Sequence, residues 1–232
     1  MKYDVILFDV DDTLMDFKMT EENALQNTFT AFGLPTGLAD YGAQYQEISK
    51  VLWRDLEEGR ITIADLGVER FRRLFAVDQP ELDTKAFGHA YLENLGKEVH
   101  LIPGAVELCS RLSDCRLVVI TNGFASVQTA RIGASPLCHT FEELIISEQV
   151  GYKKPDREIF EYAFSKLGLT DKTKVLMVGD SLTSDIQGGN RFGIDTCWFN
   201  PLQKENHLEI QPTYEIKELG ELLAIVNGEE RF

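Results

Sequence analysis

The run Ile6-Leu7-Phe8-Asp9-Val10-Asp11-Asp12-Thr13-Leu14 sets two carboxylates two positions apart at the end of an apolar strand. Alternate side chains of an extended chain point the same way, so Asp9 and Asp11 can address one reacting centre. Same-sided carboxylates repel and lose hydration there, and a bound cation offsets both costs. The pattern suits one carboxylate as nucleophile and the other as proton carrier, with magnesium between them. Taken alone, the run also reads as a turn in which Asp and Thr cap the next element. A second apolar run, 175–178, ends in Gly179-Asp180, and Asp185 follows five positions later. Magnesium takes a few carboxylate oxygens, waters and substrate phosphate in preference to a closed protein cage. Asp9, Asp11, Asp180 and Asp185 offer that inventory. Asp180 by itself equally suits a helix N-cap.

Two further segments would complete a phosphate site. Leu117-Val118-Val119-Ile120-Thr121-Asn122-Gly123 is a third strand, ending in a hydroxyl, an amide and a glycine whose backbone can approach an anion. Lys153-Lys154-Pro155-Asp156 supplies ammonium groups before a helix that opens with Pro155, a favoured first-turn residue. Singly, the first segment reads as an ordinary turn and Lys154 as a solvated surface lysine.

In this order the four segments resemble the haloacid dehalogenase superfamily of phosphohydrolases. Its motifs correspond to Asp9-Val10-Asp11-Asp12-Thr13, Thr121, Lys154, and Gly179-Asp180 through Asp185. Thr121-Asn122-Gly123-Phe124, Ile146-Ser147-Glu148 through Lys154-Pro155, and Cys197-Trp198-Phe199-Asn200 look like a bacterial subgroup of pyrimidine 5′-nucleotidases. The likeness covers nearly the whole chain. It departs at 131–137, where Pro136 stands in place of a helix-exit glycine and changes the turn chemistry.

The resemblance implies a two-step hydrolysis of a phosphomonoester. Asp9 attacks phosphorus and forms an aspartyl phosphate, while Asp11 protonates the leaving oxygen and then deprotonates the attacking water. The metal is Mg2+, with Mn2+ as the alternative, held by Asp9, Asp180 and the main-chain carbonyl of Asp11. Asp185 lies on a metal-bound water or on Lys154. Thr121, the amides of Asn122 and Gly123, and Lys154 neutralise the phosphate oxygens. Asp12 and Thr13 shape the turn. The implied substrate is a nucleoside monophosphate with a pyrimidine base.

Rival readings differ in chemistry. A dehalogenase attacks carbon and needs neither metal nor leaving-group acid, so Asp11 and Asp180 oppose it. A sugar-phosphate phosphatase or phosphomutase keeps all four motifs, and a test for intermolecular phosphate transfer separates the mutase from hydrolysis. A phosphoacceptor signalling module also uses a carboxylate and magnesium on a parallel sheet, but needs no inserted domain.

Composition narrows the class. The chain has 232 residues, 44% of them hydrophobic, enough for a sizeable core with an insertion. No apolar stretch reaches membrane-spanning length, and the start Met1-Lys2-Tyr3-Asp4 lacks signal-peptide features, so the cytoplasm is the expected location and no membrane partner is expected. Cys109, Cys115, Cys138 and Cys197 form no Cys-x-x-Cys pair and read as buried reduced thiols. The net charge of −15 disfavours a nucleic-acid polymer as partner and leaves the metal and Lys154 to draw an anionic small molecule. The protein is expected as a monomer or homodimer. His89, His100, His139 and His207 lie outside the motifs and receive no catalytic role.

The elements that must position these residues follow from periodicity. Short β-rich runs at 4–8, 116–120, 143–147, 174–178 and 194–199, the later ones separated by single helices, predict an α/β fold: a Rossmann-like parallel sheet with helices on both faces. Met15 to Leu101 reads as helical, with Thr20 and Glu22 opening one segment and Thr62 and Asp65 another. That stretch is too long for a crossover and is expected to be an inserted all-helical cap domain, 15–101, on a core of 1–14 and 102–232. Pro103-Gly104 punctuates the boundary. An amphipathic helix is expected after Ile216. In the cap, Phe17 and Trp53 could stack a base, although an aromatic at helical spacing reads first as core.

Overall fold

The computed structural model describes residues 1–79 and 81–229. The chain divides into two compact units. Met1–Asp16, His100–Ala125 and the chain from Ile132 onward form one, and Phe17–Val99 with Ser126–Arg131 form the other. In chain order, β1 (Val5–Phe8) precedes four helices of the second unit: α1 (Phe17–Ala31), α2 (Gly37–Glu57), α3 (Ile63–Phe75) and α4 (Thr84–Lys97). There follow α5 (Ala105–Arg111), β2 (Arg116–Thr121), α6 (Ala125–Ala134), β3 (Glu143–Ile146), α7 (Ser147–Val150) and α8 (Arg157–Leu167). The chain continues through β4 (Val175–Gly179), α9 (Gln187–Phe192), β5 (Asp195–Phe199), β6 (Tyr214–Ile216) and α10 (Leu222–Asn227).

The first unit is the expected parallel α/β structure. Its six strands run parallel in the order β3-β2-β1-β4-β5-β6. The β1 and β4 strands are buried along their whole length, as unbroken apolar runs covered on both faces must be. Their side chains divide by parity. Ile6, Phe8, Leu176 and Val178 pack with α5 and α10 on one face, while Val5, Leu7, Val175 and Met177 pack with α8 on the other. The sequential order of strands reverses between β1 and β4, where Phe8 pairs with Val119 on one side and Val178 on the other. Crevices beyond the carboxyl ends of strands at such a reversal are where open parallel sheets bind ligands.

The second unit is a helical bundle around an aromatic core of Phe29, Phe71, Phe75, Phe87, Tyr45 and Tyr91, with ring centroids as close as 4.8 Å. Two of its helices start at polar residues whose side chains take up first-turn amides, α3 at Thr62 and α4 at Asp83. The predicted Thr62–Asp65 pair is a capping box on α3, with Asp65 N–H donating to Thr62 Oγ1 at 3.1 Å and Thr62 N–H to Asp65 Oδ2 at 2.9 Å.

Several expectations need correction. Helix α1 begins at Phe17, three residues before Thr20, which is buried inside the helix and accepts a hydrogen bond from Arg131 at 3.3 Å. Helix α8 begins at Arg157 and not at Pro155. The strand β6 was not anticipated; three residues are too few to show a period-two pattern, and the helix expected after Ile216 starts only at Leu222. Cys138 is exposed, whereas Cys109, Cys115 and Cys197 are buried. Among the described residues no helix is long and apolar enough to cross a membrane.

Candidate active site

The β1 end delivers Asp9. Its N–H donates to the Val178 carbonyl at 2.9 Å, extending the β1–β4 ladder by one residue and fixing where the side chain leaves the sheet. Beyond it the chain turns back sharply: Asp12 takes φ +59°, its N–H donates to Met15 O at 2.7 Å, and the Leu14 and Met15 amides bond Val10 O at 2.9 Å each. Asp tolerates this left-handed conformation better than most residues. The same turn buries Thr13, whose Oγ1 accepts the Asp180 N–H at 3.1 Å. Thr13 thus joins the first motif to the last.

The β4 end delivers Asp180 and Asp185. Asp180 is held at both main-chain groups, by Thr13 at its N–H and by the Trp198 indole, which donates to its carbonyl at 2.8 Å. Ser181, and not Asp180, caps the following wide helical turn, accepting from Ser184 N–H at 3.2 Å. That turn folds Asp185 back against Gly179, where a Cβ would lie 2.1 Å from Asp185 Oδ2. Only glycine leaves room for this approach. Asp185 is fully buried and accepts from Ser181 N–H at 3.1 Å.

Lys154 joins the two ends. Its Nζ lies 2.6 Å from Asp9 Oδ1 and 2.7 Å from Asp185 Oδ1, and the side chain is buried. The β2 end supplies the mount: Asn122 Nδ2 donates to the Lys154 carbonyl and the Lys154 N–H donates to Asn122 Oδ1, both at 2.8 Å. The side chain of Asn122 is therefore committed to the Lys154 backbone. Thr121 is buried, and its Oγ1 accepts the Gly123 N–H at 3.1 Å. Glu148 accepts the Ala125 N–H at 2.7 Å, placing a carboxylate at the start of α6.

The structure thus brings Asp9, Lys154, Asp180 and Asp185 together. Oxygens of Asp9, Asp180 and Asp185 lie within 4.8 Å of one another. Asp11 is half-buried and stands outside that trio, yet its charge is felt at Asp9. Burial pushes the Asp9 carboxyl up to about 7, with Asp185 and Asp11 adding to the push and Lys154 opposing it. Burial, followed by the charges of Asp9, Asp185 and Asp12, also holds Asp180 well above the usual carboxylate range. Burial works against the Lys154 ammonium, but Asp185 and Asp9 outweigh it and leave its pKa above the ordinary lysine value. Asp9 and Asp185 are buried and Asp180 is half-buried, and with all three ionised the Lys154 ammonium would offset only one of three negative charges. A hard divalent cation with oxygen ligands matches that deficit in charge and in donor type.

Sequence reasoning did not find the positioning roles of Thr13, Gly179, Trp198 and Glu148, nor the clamp made by Asn122. The signal for Thr13 was its place one residue beyond two acidic residues, which read equally as a turn. In the helical unit, the Phe17 ring lies 5.9 Å from the Arg131 guanidinium, and Trp53 is half-buried in α2, not a full core residue.

Comparison with known proteins agrees with this geometry. Residues 3–193 match the haloacid dehalogenase-like hydrolase family. The HAD-hydrolase YfnB of Bacillus subtilis is 40% identical over 229 residues, covering 98% of this chain and 97% of that protein. Its magnesium-bound crystal structure superposes with a TM-score of 0.90 at 39% identity, covering 98% of this chain and 100% of the other. Pyrimidine 5′-nucleotidase PynA of Streptococcus pneumoniae is 39% identical, covering 96% of this chain and 94% of that one. Pyrimidine 5′-nucleotidase YjjG of Escherichia coli is 35% identical, covering 96% and 97% respectively.

Proposed function

The chain belongs to the haloacid dehalogenase-like hydrolases, and within that family we propose that it hydrolyses nucleoside 5′-monophosphates bearing pyrimidine bases. The observation that carries the chemistry is Lys154, buried between Asp9 and Asp185 at 2.6 and 2.7 Å beside a second desolvated aspartate, Asp180. The choice of substrate rests on the relatives PynA and YjjG, each of which aligns over almost its whole length.

In this reading Asp9 attacks phosphorus, the ester P–O bond breaks, and Asp11 gives its proton to the departing alcohol oxygen. Water then attacks phosphorus, Asp11 takes its proton, and the bond to Asp9 breaks to release inorganic phosphate. Lys154 holds Asp9 in one orientation and places its positive charge beside the phosphate oxygens. Asp185 is read here as the partner that keeps Lys154 in place, one of the two roles that the family resemblance allows it. Thr121 and the main-chain amide of Asn122 would meet the same oxygens, whereas the Gly123 N–H, expected to join them, donates to Thr121 Oγ1 at 3.1 Å. Asp9, Asp180 and the Asp11 main-chain carbonyl would hold Mg2+, which supplies charge stabilisation to the transferring phosphoryl group. Residues 15–101 are assigned to a cap.

The test is kcat/KM with purified protein and magnesium for dUMP, dTMP, UMP, AMP, glucose 6-phosphate and β-glucose 1-phosphate. The pyrimidine nucleotides should lead. A clear preference for either sugar phosphate overturns the nucleotidase assignment and leaves the phosphohydrolase chemistry standing.

A further inference from the structure

Lys204 repeats, on the other flank of the sheet, the mount that serves Lys154. Asn200 follows the last residue of β5 as Asn122 follows the last residue of β2. Asn200 Nδ2 donates to the Lys204 carbonyl at 3.0 Å, and the Lys204 N–H donates to Asn200 Oδ1 at 2.8 Å. The clamp is itself anchored, since Asn200 Nδ2 also donates to Glu215 Oε1 at 2.8 Å and Asn200 is buried. In each case an asparagine at a strand's carboxyl end grips both main-chain groups of a lysine.

Position gives the second clamp its meaning. β5 lies beside β4 with Gly179 paired to Trp198, and the Trp198 indole bonds the Asp180 carbonyl. The chain therefore leaves β5 next to Asp180, and the Asn200–Lys204 turn rises from that point. The ammonium is felt at Asp180, where it opposes burial and the charges of Asp9, Asp185 and Asp12. Among the described residues Lys204 makes no ion pair within 4 Å, so its charge is not spent on a carboxylate partner as that of Lys154 is. In a protein of net charge −15, a lysine whose main chain is fixed at this place, with its ammonium exposed, has electrostatic value for an anionic substrate.

We propose that Lys204 is a second substrate-facing cation of the site, mounted by Asn200 on the Asp180 side, where it meets the phosphate dianion. The assignment rests on the phosphohydrolase reading above. It predicts opposite effects on two ligands, because a cation that attracts phosphate repels magnesium.

The experiment compares Lys204→Met, Lys204→Arg and the remote control Lys166→Met with the unaltered protein. Magnesium affinity is read by calorimetry, and inorganic phosphate is read as a competitive inhibitor at saturating magnesium. In Lys204→Met the phosphate inhibition constant should rise about 2–10-fold at low salt, the range for an exposed charge acting on a dianion. Its magnesium dissociation constant should fall. Both effects should shrink at high salt, Lys204→Arg should restore phosphate inhibition, and Lys166→Met, which loses the same charge on α8, should match the unaltered protein. A turn held together by Lys204 for structural reasons would weaken both ligands instead, and that outcome overturns the proposal. So does unchanged phosphate inhibition in Lys204→Met. If the unaltered protein hydrolyses no phosphomonoester, the functional reading fails and this inference with it; normal hydrolysis with unchanged inhibition defeats the inference alone.

Discussion

Gly179→Ala tests the packing that joins the two halves of the site. A Cβ at this position would lie 2.1 Å from Asp185 Oδ2, 2.4 Å from its Cγ and 2.7 Å from its Cβ. Ordinary heavy-atom contacts fall at about 3.5–4.0 Å, so the Asp185 side chain must retreat by roughly 1 Å or more. Its carboxylate is short and wedged by Ser181 N–H and Lys154 Nζ, at 3.1 and 2.7 Å, so no flexible end can swing aside. A retreat of that size carries the Lys154 contact beyond hydrogen-bond distance. Breaking a buried ion pair in this way costs about 3–5 kcal/mol. For a protein of this size, each kcal/mol lowers the melting temperature by about 2–4 °C, giving a predicted drop of about 6–20 °C. Turnover should fall as well, because Lys154 loses the partner that holds it at Asp9. Gly133→Ala is the matched control: a Cβ there meets nothing within 4 Å, and the residue lies inside α6. That variant should gain about 0.4–1 kcal/mol through reduced freedom of the unfolded chain. Differential scanning calorimetry with steady-state kinetics decides. Equal melting of Gly179→Ala and the unaltered protein, with turnover intact, would show that Asp185 does not need this space.

Asp9→Asn should lose at least ~10³-fold in kcat while remaining folded by circular dichroism, since the amide keeps the shape but is no nucleophile; normal turnover in the folded variant rejects the covalent mechanism. Asp11→Asn should slow phosphorylation of the enzyme more for alkyl phosphates than for p-nitrophenyl phosphate, whose leaving group needs little protonation. An equal loss for both in single-turnover measurements removes Asp11 as the acid. EDTA should abolish activity and magnesium restore it, with Asp180→Ala raising the magnesium concentration required; an unaltered metal requirement would take Asp180 out of the ligand set. In the helical unit, Thr62→Ala should cost about 1 kcal/mol by removing the α3 cap, read from chemical denaturation, with no change expected if the capping box does not persist in solution.

The parallel core was legible because β1, β2 and β4 are unbroken apolar runs that end in functional residues. Strand adjacency was not legible from pattern: the pairing of β1 with both β2 and β4 is a long-range contact that periodicity does not encode, and only the family resemblance supplied the β1–β4 neighbourhood. Each motif residue could be picked out by chemical type. Its support could not, because support comes from residues distant in sequence. Trp198 reaches the Asp180 carbonyl from the neighbouring strand, 18 positions on, and Asn122 grips a lysine 32 positions away. The Thr62–Asp65 capping box was readable because both partners lie within one turn. The Phe17–Ala31 helix was misplaced at its start because Thr20, a residue that suits caps, is instead buried within the unit beside Arg131.

These supports share a feature that bears on catalysis. Asp9 is fixed through its N–H by Val178, Asp180 through its N–H by Thr13 and its carbonyl by Trp198, and Lys154 through both main-chain groups by Asn122. The chain positions its reacting side chains by their backbones, so carboxylate and ammonium groups stay available to each other and to a ligand. A site held by contacts to the side-chain heads would have to give those contacts up on binding, and part of the interaction with ligand would be lost in exchange. Backbone mounting on adjacent parallel strands avoids that loss and needs little reorganisation as charge shifts during phosphoryl transfer. Lys154 and Asp185 are held at their heads as well: the Lys154 ammonium lies between Asp9 and Asp185, and the Asp185 carboxylate is engaged by Lys154, Ser181 and Ser184, the arrangement expected of the proposed role in which Asp185 holds Lys154 in place.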